Sequence, residues 1–230
     1  MYRIALVAEG VTDHAFLQAA LEAILGDTIS FELTLLQPKT SLPFGGSVDA
    51  TKVSTGGWGG VYQWCSHVPI AAANSLLGAY ALAHDFLIIH VDVDVTRKKY
   101  SEYSFIQPRA SDAPLPCSKK CPPASDSADA LQNVVQSWLP SRTTHDNLIF
   151  CLPADTLGTW VYAAFCPNKK SAIRNFECSR NIEHRLQHIL PKTLEDYKRV
   201  KGRLKEGWPA VETRCSQGKI FADTVRATLL

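Results

Sequence analysis

"RIALVAEGVTDHAFLQAAL", residues Arg3 to Leu21, runs from a short apolar segment into a lone carboxylate, a glycine and then a helical pattern. Ile4 to Ala8 form a continuous apolar run, which fits a strand buried on both faces. Glu9 and Gly10 end it abruptly. Thr12 reads as an N-cap, and Asp13 falls in the first turn, where a carboxylate complements the helix dipole. Leu17, Leu21 and Ile24 recur at helical spacing, and Gly26 closes the helix. "DFLIIHVDVDV", Asp85 to Val95, repeats the theme: a buried strand by composition that ends in two acids, Asp92 and Asp94.

Between these stretches, "ISFELTLLQP" alternates as a second strand and stops at Pro38. A Gly/Ser/Thr-rich loop follows. Its "GGWGG", Gly56 to Gly60, is expected to be a flexible loop anchored by Trp58 rather than a phosphate-wrapping turn, because it has no Walker lysine and does not follow a strand directly. A helical pattern runs from Gly60 to His84, with an expected break near Pro69. The resulting βαβαβ order predicts an α/β fold with a mainly parallel sheet flanked by helices.

Residues Tyr100 to Ser127 hold several prolines and serines and no sustained period, so a long loop is expected there. "SADALQNVVQSWL" returns to helical spacing, "NLIFCLP" reads as a fourth strand, and "TLGTWVYAAF" as a short helix. The remainder is mostly helical. We expect one domain over residues 1–230, with a core over about 1–165 and a helical C-terminal elaboration over about 166–230.

Bulk composition narrows the function classes. Hydrophobic residues make up 46%, which supports a large core and argues against global disorder. A formal net charge of +2 means that any nucleic-acid face must be a local patch. The run "IALVA" is too short for a signal peptide, and no segment reaches the roughly 20 apolar residues of a membrane helix, so a soluble, cytoplasmic protein without membrane contact is expected. The seven cysteines are odd in number, and reduced thiols are expected rather than a disulfide framework. "CSKKC", Cys117 to Cys121, is the only close pair, and zinc is its alternative reading.

In open parallel sheets, ligands bind beyond the carboxyl ends of the strands. Glu9 stands at one such end, and Asp92 and Asp94 at another. Two residues apart on an extended backbone, Asp92 and Asp94 would face the same way. Each feature alone has an ordinary reading, as a helix cap or a solvated strand end. Together, three convergent carboxylates would repel one another without a counter-charge, and hard oxygen donors in that number suit Mg²⁺ or Mn²⁺. "TRKKY", with Arg97, Lys98 and Lys99, follows the acids directly, and its cations could meet a nucleic-acid backbone there. His90, inside the same strand, reads as a core histidine.

"AEGVTDHAFL" with "IIHVDVDV" resembles the Toprim domain of topoisomerases and primases, which carries a glutamate-glycine after its first strand and D-x-D after a later one. The resemblance covers roughly residues 1 to 95 by motif. It is nearest to the OLD-type nucleases and to small standalone Toprim-like proteins of prokaryotic anti-phage defence systems, whose ends the tail "GWPAVETRCSQGKIFADTVRATLL" is similar to.

The resemblance implies a Toprim-like sheet and a metal-dependent endonuclease acting on DNA, with RNA as an alternative substrate. It implies Glu9, Asp92 and Asp94 as catalytic residues and metal ligands, with Asp13 as ligand to a second ion. It also implies a late lysine near the scissile phosphate, for which Lys201, Lys205 and Lys219 are candidates; Lys201 and Lys205 join Arg97, Lys98 and Lys99 as expected nucleic-acid contacts. A partner ATPase is implied, because the chain has no ATP-binding motif, and a homo-oligomer is compatible. One departure stands out. Many relatives carry a further glutamate before the tryptophan matching Trp160, and here Asp155 is the only nearby acid to take that ligand's place. A catalytically weak interaction or regulatory subunit of the same fold is the alternative function.

Overall fold

The computed structural model describes residues 1–27, 29–38, 56–67, 84–140, 147–166, 175–180, 182–186 and 194–230. Along the chain run β1 (Tyr2–Val7), α1 (Val11–Leu25), β2 (Phe31–Gln37), α2 (Gly57–His67) and β3 (Phe86–His90). A 3-10 turn (Val93–Arg97), α3 (Ser125–Trp138), β4 (Leu148–Cys151) and α4 (Gly158–Phe165) follow. α5 (Ile182–Leu186), α6 (Leu194–Arg214), α7 (Ser216–Leu229) and two further 3-10 turns, Tyr100–Glu102 and Phe176–Cys178, complete the described elements. The four strands form one parallel sheet in the order β2-β1-β3-β4, so the fold is α/β with helices on both faces and further helices at the C-terminal end.

The two central strands are continuously apolar over Ile4–Val7 and Phe86–Ile89, where both faces are covered, whereas the edge strand β2 is mixed; the two-residue period sorts their side chains. Ile4, Leu6, Ile88 and Ile149 turn to a core built with Phe16 of α1, Trp160 of α4 and Phe221 of α7. Ala5, Val7, Leu87 and Ile89 turn to a second core with Trp58 of α2 and Trp138 of α3. The C-terminal helices belong to the first core. Trp208 of α6 and Phe221 of α7 each lie 5.7 Å from the Trp160 ring, centroid to centroid. Gly207 of α6 approaches α4 so closely that a Cβ would stand 2.5 Å from the Ala164 carbonyl oxygen.

Three local expectations are corrected. α1 begins at Val11 with Gly10 as its N-cap, not Thr12; Asp13, three residues on, accepts the Gly10 N–H at 2.7 Å and so closes the first turn from within. "GGWGG" is not a loop. Its last four residues open α2, Trp58 is buried, and Trp58 meets the Tyr103 ring edge-on at 5.0 Å. Gly59 is required there, since a Cβ would lie 2.8 Å from Tyr103 Cε2. Finally, Cys121 and Cys178 form a disulfide, with Cα atoms 5.6 Å apart, where reduced thiols were expected. The bond leaves Cys121 unavailable for zinc, and the five other cysteines are free. The expected continuation of the α2 pattern through residues 68–83, with its break near Pro69, lies outside the described residues.

The long segment from Tyr100 to Ser127 has few regular elements but is firmly tied. Arg109 donates to the Ser137 and Trp138 carbonyls at 2.9 and 2.6 Å, satisfying groups at the end of α3. It also forks onto Asp112, whose side chain is fully buried and accepts the Tyr62 hydroxyl at 2.8 Å. No described helix is long and apolar enough to cross a membrane.

Candidate functional site

β1 and β3 are neighbours, and β2 and β4 lie outside them on opposite sides. The chain therefore leaves β1 in one direction to form β2 and returns past it to form β3. Such a reversal opens a crevice at the carboxyl ends of the two central strands. Glu9 follows β1 and Asp92 follows β3, so both acids stand at that crevice. The Asp92 backbone N–H donates to Glu9 Oε1 at 2.9 Å. Glu9 is held from its other side as well, its carbonyl accepting the Gly57 N–H at 2.7 Å.

Asp13 reaches the crevice from the first turn of α1. His90 lies between Asp13 and Asp92, with Nδ1 3.6 Å from Asp13 Oδ2 and Nε2 3.3 Å from Asp92 Oδ1. Its side chain is fully buried, and neither ring nitrogen makes a hydrogen bond of good geometry. Asp92 Oδ1 also accepts the Leu157 N–H at 3.0 Å, which ties the site to the segment before α4.

Asp94 sits differently from the expectation. β3 ends at His90, and Asp94 lies in the 3-10 turn rather than on extended backbone. Its N–H donates to the Asp155 carbonyl at 2.9 Å. Arg97 donates to Asp155 Oδ1 at 2.8 Å and stands 4.0 Å from Asp94 Oδ2; Lys98 Nζ stands 3.9 Å from the same Asp94 oxygen. Asp155 is thus brought beside Asp94, but its carboxylate is engaged by Arg97. Lys99 is exposed, and its N–H is held by Glu102.

The electrostatics follow from crowding acids in a partly dry crevice. Burial, then the Asp92 carboxylate, push the Glu9 carboxyl up to about 8. Burial also raises Asp13, with the His90 charge opposing. Asp94 is pushed up to about 6 by burial and then by Asp92. Burial works against a charge on His90, yet Asp92, Asp13 and Glu9 outweigh it and lift the imidazole to about 9. His90 is thereby placed as a counter-charge facing Asp13 and Asp92, a role that the expectation of a core histidine missed. The signal was present in the sequence: His90 is an ionisable residue two positions before Asp92 inside an apolar strand.

The late lysines lie elsewhere. Lys201 pairs with Glu22 at 2.6 Å and Lys205 with Asp27 at 3.2 Å. Glu22 is nine residues beyond Asp13 on α1, about 13 Å along the helix axis from the acid site. Lys219 pairs with Asp223 on the exposed side of α7.

Glu9, Asp13, Asp92 and Asp94 are hard oxygen donors whose charge is only partly balanced, which fits a hard divalent cation in chemical type. Among the described residues, no three His, Cys, Asp or Glu side chains are drawn together as a ready coordination group. Compared with protein-family models, with curated proteins and with solved structures, the chain matches none.

Proposed function

We propose that this chain is a divalent-metal-dependent nuclease, hydrolysing phosphodiester bonds as the cutting component of a prokaryotic defence assembly whose ATPase is a separate partner. One observation carries the reading: Glu9 and Asp92, 83 residues apart in sequence, are joined by a 2.9 Å hydrogen bond at the reversal point of a parallel sheet. Glu9, Asp13, Asp92 and Asp94 would hold Mg²⁺ or Mn²⁺. A bound ion of this kind supplies an activated water and neutralises charge on the attacked phosphate. Arg97 and Lys98, beside Asp94, would receive the phosphate backbone, and Lys99 extends the same cationic edge.

A second reading rests on a specific feature. His90 already balances Asp13 and Asp92, as a cation would, and Arg97 occupies Asp155. A Toprim-like subunit that binds and signals without cutting would have such a partly neutralised site.

Purified protein incubated with supercoiled plasmid or RNA and with Mg²⁺ or Mn²⁺, beside Glu9→Gln and Asp92→Asn, separates the two. Metal-dependent nicking abolished in both variants supports the nuclease. Nicking that survives both substitutions removes the acid site from the reaction. No cleavage of any substrate, alone or with the partner ATPase, supports the silent subunit.

A further inference from the structure

A second concavity opens next to the acid site, on the far side of the Arg97–Asp155 pair. It has a volume of about 240 Å³, smaller than the roughly 300–1,000 Å³ of clefts that take whole cofactors. Arg97 and Asp155 form one wall. Lys119, Lys120 and Arg180 stand on the others, with Val93 and Ala154 among its apolar lining. The Cys121–Cys178 disulfide joins the segment carrying the two lysines to the segment carrying Arg180.

The charge in this concavity is uneven. Four cations line it against two carboxylates, Asp155 and Glu177. The local surplus is two positive charges. Asp155 is spent on Arg97, and Glu177 accepts the Gln217 N–H at 3.3 Å. Among the described residues, Lys119, Lys120 and Arg180 have no carboxylate at ion-pair distance. Three cations without a carboxylate partner among the described residues, on a covalently tied frame, outnumber the two carboxylates of the lining and favour a small oxyanion such as a phosphate group.

We propose that this concavity binds one phosphate group of a nucleic-acid strand whose neighbouring phosphodiester lies at the acid site. Arg97 links the two places, since its guanidinium touches Asp155 in the wall and approaches Asp94 in the crevice. The concavity thereby fixes the register of the strand, and Lys119, Lys120 and Arg180 become its anchoring residues. The identity of the strand rests on the nuclease reading; the phosphate chemistry of the pocket does not.

The test measures binding in EDTA, where no metal-dependent cutting occurs. A fluorescently labelled single-stranded oligonucleotide is titrated across a range of salt against the wild type, Arg180→Ala, the double variant Lys119→Ala/Lys120→Ala, and, as a control outside the lining, Lys219→Ala, whose cation pairs with Asp223. Removing one cation that neutralises a phosphate should lower the slope of log affinity against log salt by about 0.7, which is about fivefold in affinity at 0.1 M salt. Circular dichroism should show unchanged folding, because all three residues are exposed. Inorganic phosphate should compete with the oligonucleotide in the wild type and cease to do so in Arg180→Ala. Unchanged slope and affinity in both pocket variants would overturn the proposal. So would an equal weakening in Lys219→Ala, which would mark a general charge effect. Binding that depends on these residues in a protein that cuts nothing would keep the phosphate pocket and remove the nuclease.

Discussion

The Asp92 N–H and the Glu9 carboxylate meet at 2.9 Å across the boundary between β1 and β3. The bond is made by Asp92 backbone, so it leaves both Asp92 side-chain oxygens to other partners. One of them, Oδ1, is shared between Leu157 N–H and the His90 ring. The acid site is therefore built in two layers: backbone groups fix its geometry, and a buried histidine balances its charge.

The first prediction concerns cation binding itself. Gln at position 9 keeps an oxygen that can accept the Asp92 N–H, and Asn at 92 keeps one for Leu157. Glu9→Gln and Asp92→Asn should both fold, with melting temperatures in EDTA close to or above that of the wild type. Adding Mn²⁺ should stabilise the wild type by about 2.7 kcal/mol at a hundredfold excess over the dissociation constant. The same addition should leave both variants unmoved. Equal Mn²⁺ stabilisation of all three proteins in differential scanning fluorimetry would place the ion elsewhere.

Arg109 and Asp112 provide a second test, of the long segment before α3. Asp112 is a fully buried carboxylate held by Arg109 and Tyr62. Removing the guanidinium strands that carboxylate and uncovers two carbonyls at the end of α3. Arg109→Ala should therefore lower stability by about 1–3 kcal/mol in urea unfolding. Adding Asp112→Asn should recover part of that stability, because the orphaned charge is gone. Full additivity of the two substitutions would show that the pair is not coupled.

Lys201 supplies a pH test. Burial alone would raise the Glu22 carboxyl, but hydrogen bonds from Gln18 and Lys201 outweigh it and hold it below its usual value. A carboxylate whose pKa is depressed by folding contributes stability above its unfolded pKa, near 4.5, and loses it as pH falls through the folded value. Lys201→Ala should thus cost about 0.5 kcal/mol at pH 7, a partly exposed pair, and almost nothing at strongly acidic pH. Oligonucleotide affinity should hardly change, since Lys201 is spent on α1. A penalty that persists unchanged in acid, or a large drop in oligonucleotide binding, would contradict this placement.

The sequence was informative where chemistry and period coincide. Glu9 and Asp92 were visible because each ends an uncharged run, and a parallel sheet brings such ends to one edge. The sheet itself was legible from apolar runs alternating with helical patterns. Asp94 was placed on the right edge but in the wrong conformation, since nothing in D-V-D-V says where the strand gives way to a 3-10 turn. His90 does not announce its role, because one buried histidine looks like another until its neighbours are known. Tertiary pairing hid the rest. Lys201 and Lys205 are cations that sequence cannot tell from substrate-binding ones, and their carboxylate partners lie on or just beyond α1, some 180 residues earlier. The Cys121–Cys178 bond has no local spacing to announce it.

That disulfide carries the last prediction. Its cysteines are 57 residues apart, and closing a loop of that length removes about 4 kcal/mol of unfolded-chain freedom in the chain-entropy account. Protein isolated without reductant, unfolded and alkylated should take up label at five of its seven cysteines, and at all seven after reduction. Cys121→Ser should lower stability by about 2–4 kcal/mol under these conditions. Reductant should lower the wild type to the level of the variant and leave the variant where it is. Because the bond joins the wall of Lys119 and Lys120 to that of Arg180, the same reduction should weaken the salt-dependent oligonucleotide binding of the wild type. Labelling of all seven thiols before reduction, or a melting temperature indifferent to reductant, would mean that the two segments are held together by packing alone.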